Sequence, residues 1–427
     1  MEDNESLIWG LIRNAREKKN KKIFLQNIEI ENENNKAIVK YRPSQIEDFF
    51  SPTEPVGNIV ISGGVEHLRN RSVLGSMIPS YSNSIPIVVI HFGNSNLETL
   101  LQQQVGNLTV FNRKNSIYDP FVGLSTYEIC RTIQCSATKQ CELRSGSQYY
   151  IEGMTEFIRT KNIPPFCEMY MYCPHLELID KVDFAESKGL INSNQSQKIK
   201  TLLVQGQAQR SDVENYFNVL RQQSQGLLCS KLNLNQAKSI RTVINNNGVC
   251  CFDVGSNTND LLISLILEDL LSAAASGKKI TLIIDNPNLI KGDKIENIAQ
   301  NSGGNINLVL SSQDIFAAVN GDEALFSTVI GKALKLVVFN HSYGMSCNKL
   351  SDALGSYDKK EIVTSINQGT NYTSMFTVIP GQMNNQGITV NIKRENRVLP
   401  EEINKLSKDE VYIKDATNNE LAYATII

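Results

Sequence analysis

Lys278 to Pro287 reads KKITLIIDNP. Ile280 to Ile284 is a short run of β-formers and Leu, with charge before it and Asn-Pro after it. A run that short and apolar fits a strand buried on both faces. Asp285 then stands at the carboxyl end of the strand, the edge where open α/β sheets bind ligands. A carboxylate there suits the water shell of a Mg²⁺ ion beside a nucleotide. It equally suits a cap on the Asp-Asn-Pro-Asn turn that follows.

Three other runs repeat the pattern. Val249 to Phe252 ends at Asp253, Ile306 to Leu310 ends at Ser311, Ser312 and Gln313, and Leu334 to Phe339 ends at Asn340 and His341. Helix-like segments at Asn259–Ala275, Lys291–Asn301 and Ala324–Ala333 alternate with them. Strands alternating with helices require right-handed crossovers and a parallel sheet, so the fold class is α/β. One sheet edge then collects Asp253, Asp285, Gln313 and Asn340.

The chain has 427 residues, enough for two or three domains and a large core. Charged residues make up 20% and the net charge is −2, so no global basic field attracts nucleic acid. Leu261–Ala275 is the longest apolar stretch, but it carries Glu268 and Asp269 and falls short of the ~18 residues of a membrane span. No apolar segment follows a basic start as in a signal peptide. These features predict a soluble, cytoplasmic chain without a transmembrane segment. The 9 cysteines lack zinc-knuckle spacing, and the 4 histidines are scattered.

The first core strand is Asn58–Ile61, followed by Ser62-Gly63-Gly64 and the run VEHLRNRSVL. A strand, a glycine turn and a helix is the setting of a phosphate-binding loop, where backbone N–H groups, a Lys and a Ser or Thr hydroxyl hold phosphate and Mg²⁺. Gly63 and Gly64 fit the cradle, and Arg71-Ser72 is the nearest match to the Lys-Ser/Thr pair. Asn70 replaces the second glycine, the spacing from Gly64 is one residue too long, and Glu66 adds negative charge. The stretch is either a decayed phosphate loop or an ordinary strand–helix turn.

Upstream, Ser6–Lys22 is apolar at its start and basic at its end, a helix packed on its own domain or a contact at a partner or membrane periphery. Residues 23–50 alternate polar and apolar with Asn-rich turns, which predicts a hairpin. Ile85–Phe92 and Leu108–Phe111 are further strands. Asn96 is the expected cap of a helix over Leu97–Gln104, and a helix over Ser125–Thr138 follows the Tyr118–Phe121 turn. From Pro164 to Asn247 strand signals vanish and Gln, Asn and Ser rise. Helices at Ser196–Gln209 and Ser211–Gln223 are expected there, the second opened by a Ser211/Glu214 capping box. The implied organisation is an N-terminal helix and hairpin (1–54), a first half-sheet (55–163), an all-α insertion (164–247) and a second half-sheet with C-terminal strands (248–427). Within the last part, Tyr372–Ile379, Gly387–Lys393, Val411–Ile413 and Leu421–Thr425 read as strands.

The order of these pieces resembles the cytoplasmic ATPase part of type IV secretion coupling proteins of the TraG/TraD kind, in the FtsK/HerA group of P-loop translocases. The resemblance spans roughly residues 55–427 and rests on Ile283-Ile284-Asp285, Ser312-Gln313, Leu350 to Gly355 and Leu399-Pro400-Glu401-Glu402-Ile403. It implies a RecA-like P-loop NTPase domain with an all-α domain, assembled as a homo- or hetero-oligomeric ring in secretion or conjugation machinery, with DNA or protein as substrate and ATP and Mg²⁺ as cofactors. By the same resemblance Asp285 matches the Walker B acid and metal site, Gln313 the γ-phosphate sensor, Gly63 and Gly64 the phosphate cradle, and Arg71 and Ser72 its Lys-Ser/Thr, Ser72 as the second metal ligand.

Three positions depart from the family together. The loop lacks Gly-Lys, Asn286 stands where the water-activating Glu belongs, and Ile85–Phe92 ends without Asp-Pro-Lys-Gly. A general base contributes ~10²–10⁴-fold to a rate, and an amide at 286 accepts no proton at neutral pH. The reading that follows is a relative with a decayed nucleotide site that acts as a structural or adaptor subunit. The alternatives are an active translocase with non-standard Walker motifs, and a monomeric scaffold whose ring surface serves a partner.

Overall fold

A computed structural model describes residues 2–255, 259–342, 344–371 and 381–427. Its strands are β1 (Ile38–Lys40), β2 (Asn58–Ser62), β3 (Ile87–His91), β4 (Leu108–Phe111), β5 (Val249–Asp253), β6 (Ile280–Asp285), β7 (Ile306–Ser312), β8 (Ala333–Val338), β9 (Ser356–Asn371), β10 (Gly381–Asn396), β11 (Glu410–Asp415) and β12 (Glu420–Thr425). Ten of them form one sheet in the order β1-β12-β11-β8-β2-β7-β6-β3-β5-β4, and β9 and β10 form a separate antiparallel ribbon. From β8 to β4 every neighbouring pair is parallel. β11 lies antiparallel to β8 and β12, which makes the sheet mixed at that side.

Alternation along the central strands explains the two-sided burial. Leu282 and Ile284 join Val88, Ile90, Leu308 and Leu310 in the core on one face. Ile283 joins Ile59, Ile61, Val89, Val309 and Val337 on the other. Burying each such side chain contributes roughly 1.5–3 kcal/mol, so no polar residue is tolerated within these runs without a partner. Thr281, the one hydroxyl in β6, shares a hydrogen bond of 2.7 Å with Ser80.

Helix α1 (Glu2–Lys36) precedes the sheet, and α2 (Glu66–Ser82) and α3 (Ser95–Gln104) cover one face. Between β4 and β5 the described residues form no strand of the sheet. That interval holds α4 (Thr126–Ser136), α5 (Ser147–Arg159), α6 (Cys167–Met171), α7 (Leu178–Ser187), α8 (Ser193–Gln205), α9 (Arg210–Ser224) and α10 (Ile240–Asn245). The second half continues with α11 (Asp260–Ala274), α12 (Gly292–Asn301), α13 (Ile315–Ala318), α14 (Glu323–Gly331), α15 (Gly344–Leu354) and α16 (Pro400–Asn404). Among the described residues no helix is long and apolar enough to cross a membrane.

Several local expectations are corrected. The hairpin expected over 23–50 is absent: residues up to Lys36 continue α1, and only β1 pairs, in parallel with the distant β12. The polar side of that helix has a partner the local sequence does not reveal, since Asn32 exchanges two hydrogen bonds with the Lys360 backbone of β9. Asn94, rather than Asn96, caps α3 by accepting from Leu97 N. The Ser211/Glu214 capping box does not form, because the turn at Gln207–Gln209 leads straight into α9 and leaves Ser211 inside the helix. The strand expected at Tyr372–Ile379 lies outside the described residues, whereas Gly387–Lys393 is part of β10.

Candidate functional site

The carboxyl ends of β8, β2, β7, β6, β3 and β5 form one continuous edge. At its centre the chain leaves β2 at Ser62, turns through Gly63-Gly64-Val65 and enters α2 at Glu66. This connection is far shorter than the Gly-x-x-x-x-Gly-Lys-Ser/Thr run of a phosphate loop. Both glycines have left-handed backbones, with φ of 88° and 71°. A Cβ at Gly63 would lie 2.4 Å from His341 Cε1, and one at Gly64 would lie 2.7 Å from Phe339 Cβ. The turn is therefore packed directly against the end of β8.

Its backbone donors are occupied. Gly63 N donates to the Ser312 carbonyl at 3.0 Å and Gly64 N to the Asn340 carbonyl at 3.1 Å. His341 locks the arrangement from behind. Its Nδ1 donates to the Phe339 carbonyl at 2.9 Å, which leaves Nε2 to accept from Ser62 Oγ at 2.9 Å. Ser62 Oγ in turn accepts from Ile315 N at 3.1 Å. Burial pushes the His341 pKa below its ordinary value, which keeps the ring neutral and the network intact.

Asp285 is 1% exposed and accepts from Asn94 Nδ2 at 2.8 Å and from Ser311 Oγ at 3.0 Å. Asn94 belongs to the same network through a reciprocal pair with Asn70, at 2.9 and 3.3 Å. Asn286 takes a left-handed backbone, φ 58°, and directs its N–H to the Ser311 carbonyl at 2.7 Å. The buried carboxylate thus holds α2, α3, β6 and β7 together. Nearby, Asp253 accepts from Gly93 N and Gly255 N, and His91 Nδ1 accepts from Asn94 N.

The cation at this edge is Arg69, which the sequence reading passed over. It is 8% exposed, and its Nη1 donates to the Gly64 carbonyl at 2.6 Å. Burial lowers its pKa, while attraction to Asp285 and Glu66 works in the opposite direction. Its Nε is buried without a hydrogen-bond partner. The signal for it was the short turn: with α2 starting at Glu66, a cation one helical turn in lies nearest the edge.

Arg71 and Ser72 are placed elsewhere. Arg71 forms a fork with Glu47, Nε–Oε1 2.8 Å and Nη2–Oε2 2.6 Å, and also bonds Gln45 and the Ile427 carbonyl. Ser72 is fully buried and donates to the Leu68 carbonyl of its own helix at 2.8 Å. As placed, Arg71 is committed to Glu47 and the Ser72 hydroxyl to its helix, so the geometry corrects the roles of Lys substitute and metal ligand. Gln313 is exposed just beyond β7, and among the described residues it makes no side-chain hydrogen bond to Asp285. Asn340 binds the Asn404 and Leu406 carbonyls. Among the described residues no group of three His, Cys, Asp or Glu side chains is placed to hold a metal.

With that geometry in hand, the likeness to known structures is informative. Over 87% of this chain and 85% of the other, the structure superposes on the bacterial conjugative coupling protein TrwBdeltaN70 in its unbound form, with a TM-score of 0.52 at 13% identity. The fold is that of a conjugative coupling protein. The plasmid coupling protein TrwB in complex with the non-hydrolysable GTP analogue GDPNP gives a TM-score of 0.50 at 12% identity, covering 86% of this chain and 85% of that one. VirB4 of Thermoanaerobacter pseudethanolicus, with a TM-score of 0.43 at 9% identity, is too distant to add to the comparison. The sequence matches no protein-family model and no curated protein. At these identities the likeness establishes the RecA-like architecture, and the chemistry has to be argued from the chain's own side chains.

Proposed function

We propose that this chain is a structural or adaptor subunit of a conjugative or type IV secretion apparatus, built on the coupling-protein fold with a nucleotide site filled by its own groups. The observation that carries this is the pair of glycine N–H groups. A phosphate needs them free, and here they are spent on the Ser312 and Asn340 carbonyls. Asp285 is spent in the same way on Asn94 and Ser311. Asn286 offers no carboxylate to activate water. In this reading the chain divides into residues 1–54, 55–163, 164–247 and 248–427, and joins a homo- or hetero-oligomeric ring at the membrane periphery.

A second reading is an ATP-driven DNA translocase in which Arg69 replaces the phosphate-loop lysine. It is favoured by the buried, unpartnered Arg69 Nε. Calorimetric titration of ATP, with and without Mg²⁺, separates the two. The first reading predicts no heat of binding up to ~1 mM nucleotide, a Kd beyond about −4 kcal/mol of affinity. Mg²⁺-dependent binding that disappears in Asp285→Ala and Arg69→Ala would establish the second.

A further inference from the structure

Between the end of α5, the α6 turn and α7 lies a groove of about 710 Å³. Phe157 and Ile158 form its floor and are 7% and 2% exposed. Tyr172, Phe184 and Leu190 stand along its walls and are 64%, 58% and 69% exposed. Large apolar side chains clustered at that exposure mark an interaction surface rather than the scattered apolar residues of any protein exterior.

The charge around the groove has one sign. No Asp or Glu lines it, whereas Lys161 and Lys181 do. Three of its aromatic rings each lie beneath a cation: Lys161 Nζ is 5.4 Å from the Phe157 centroid, Lys188 Nζ 5.5 Å from Phe184, and the Arg221 guanidinium 5.5 Å from Tyr172. Lys181 pairs with Glu177 on its own helix at 3.4 Å, an exposed contact that leaves the lysine available. Among the described residues Lys161, Lys188 and Arg221 take part in no ion pair.

We propose that this groove docks an amphipathic helix of a partner protein, with acidic residues flanking its apolar face. The walls are helices whose backbone groups are satisfied internally, so recognition falls to side chains, as in helix-in-groove binding, rather than to strand addition. The apolar floor is recessed beneath the rim, where a flat bilayer does not reach. The unpaired cations select acidic flanks and speed the encounter. The proposal stands whether or not the sheet edge binds nucleotide.

The test uses the full chain and two fluorescein-labelled peptides of about 16 residues, long enough to hold a helix. Both carry Leu at i, i+3, i+4 and i+7, one with Glu on the flanks and the other with Lys. Fluorescence anisotropy is expected to show the Glu peptide bound at least about tenfold more tightly than the Lys peptide. Leu190→Asp removes binding by at least about tenfold, with the circular dichroism spectrum and urea midpoint unchanged. Lys161→Glu combined with Lys188→Glu inverts the preference toward the Lys peptide, an outcome that misfolding does not produce. Equal binding of both peptides, or none, overturns the proposal. So does a dimer in light scattering that Leu190→Asp dissolves, or phosphatidylserine-vesicle binding that the same substitution abolishes.

Discussion

Asn94 does three jobs with one amide. It caps α3, exchanges hydrogen bonds with Asn70 and donates to the buried Asp285 carboxylate. Asn94→Ala is expected to cost ~2–3 kcal/mol in urea unfolding, from the lost cap and the half-satisfied carboxylate together. A loss under about 0.5 kcal/mol would mean that Asp285 finds its partners elsewhere. At this scale the sequence was partly legible. Asp285 could be located because an apolar run that ends in a carboxylate has one plausible register. Arg69 was not located, because its place depends on where α2 begins, and a motif search fixed on the Arg71-Ser72 dipeptide looks one helical turn too late.

Helix α2 shows how an element redirects a residue's role. Its second turn turns Arg71 toward Glu47 and the carbonyl of Ile427, so that arginine ties the segment before β2 to the strands at the end of the chain. Arg71→Ala is expected to cost about 1 kcal/mol of stability and to leave nucleotide titrations unchanged, because a forked pair under one-third exposed is worth little more. A changed nucleotide titration would place Arg71 back at the sheet edge. Elements with a strict apolar period were legible, and β4, α3 and β6 fall within two residues of expectation. The hairpin at 23–50 was misread because a polar–apolar alternation rich in Glu and Lys satisfies a helix as well, and the contact that settles it comes from Lys360, far along the chain.

Across the whole molecule, the parallel block was legible from apolar runs alternating with helices, but the order of the strands was not, since hydrogen-bond partners are chosen between distant segments. The same limit hid a buried pair that joins the sheet to the helical region. Asp119 accepts from Phe121 N and Cys167 N, and Asp269 accepts from Ile240 N and Tyr118 Oη. Burial pushes both carboxyls up to about 7. A carboxyl raised on folding binds its proton more tightly in the native state, so its contribution is present below pH ~4 and is lost as the pH rises toward 7. Lowering the pH from 7.5 to 5.5 is therefore expected to strengthen this junction, and Asp269→Asn to flatten that part of the urea-midpoint profile. A profile unchanged by the substitution would contradict the assignment.

The central claim is that the nucleotide edge is closed by the chain's own groups, and amide hydrogen exchange at Gly63 and Gly64 reads it most directly. The account predicts that both amides exchange as slowly as the interior of β2, with protection unaltered by ATP and Mg²⁺ at ~1 mM. Fast exchange in the free protein that slows when nucleotide is added would contradict it, and would show those N–H groups waiting for phosphate.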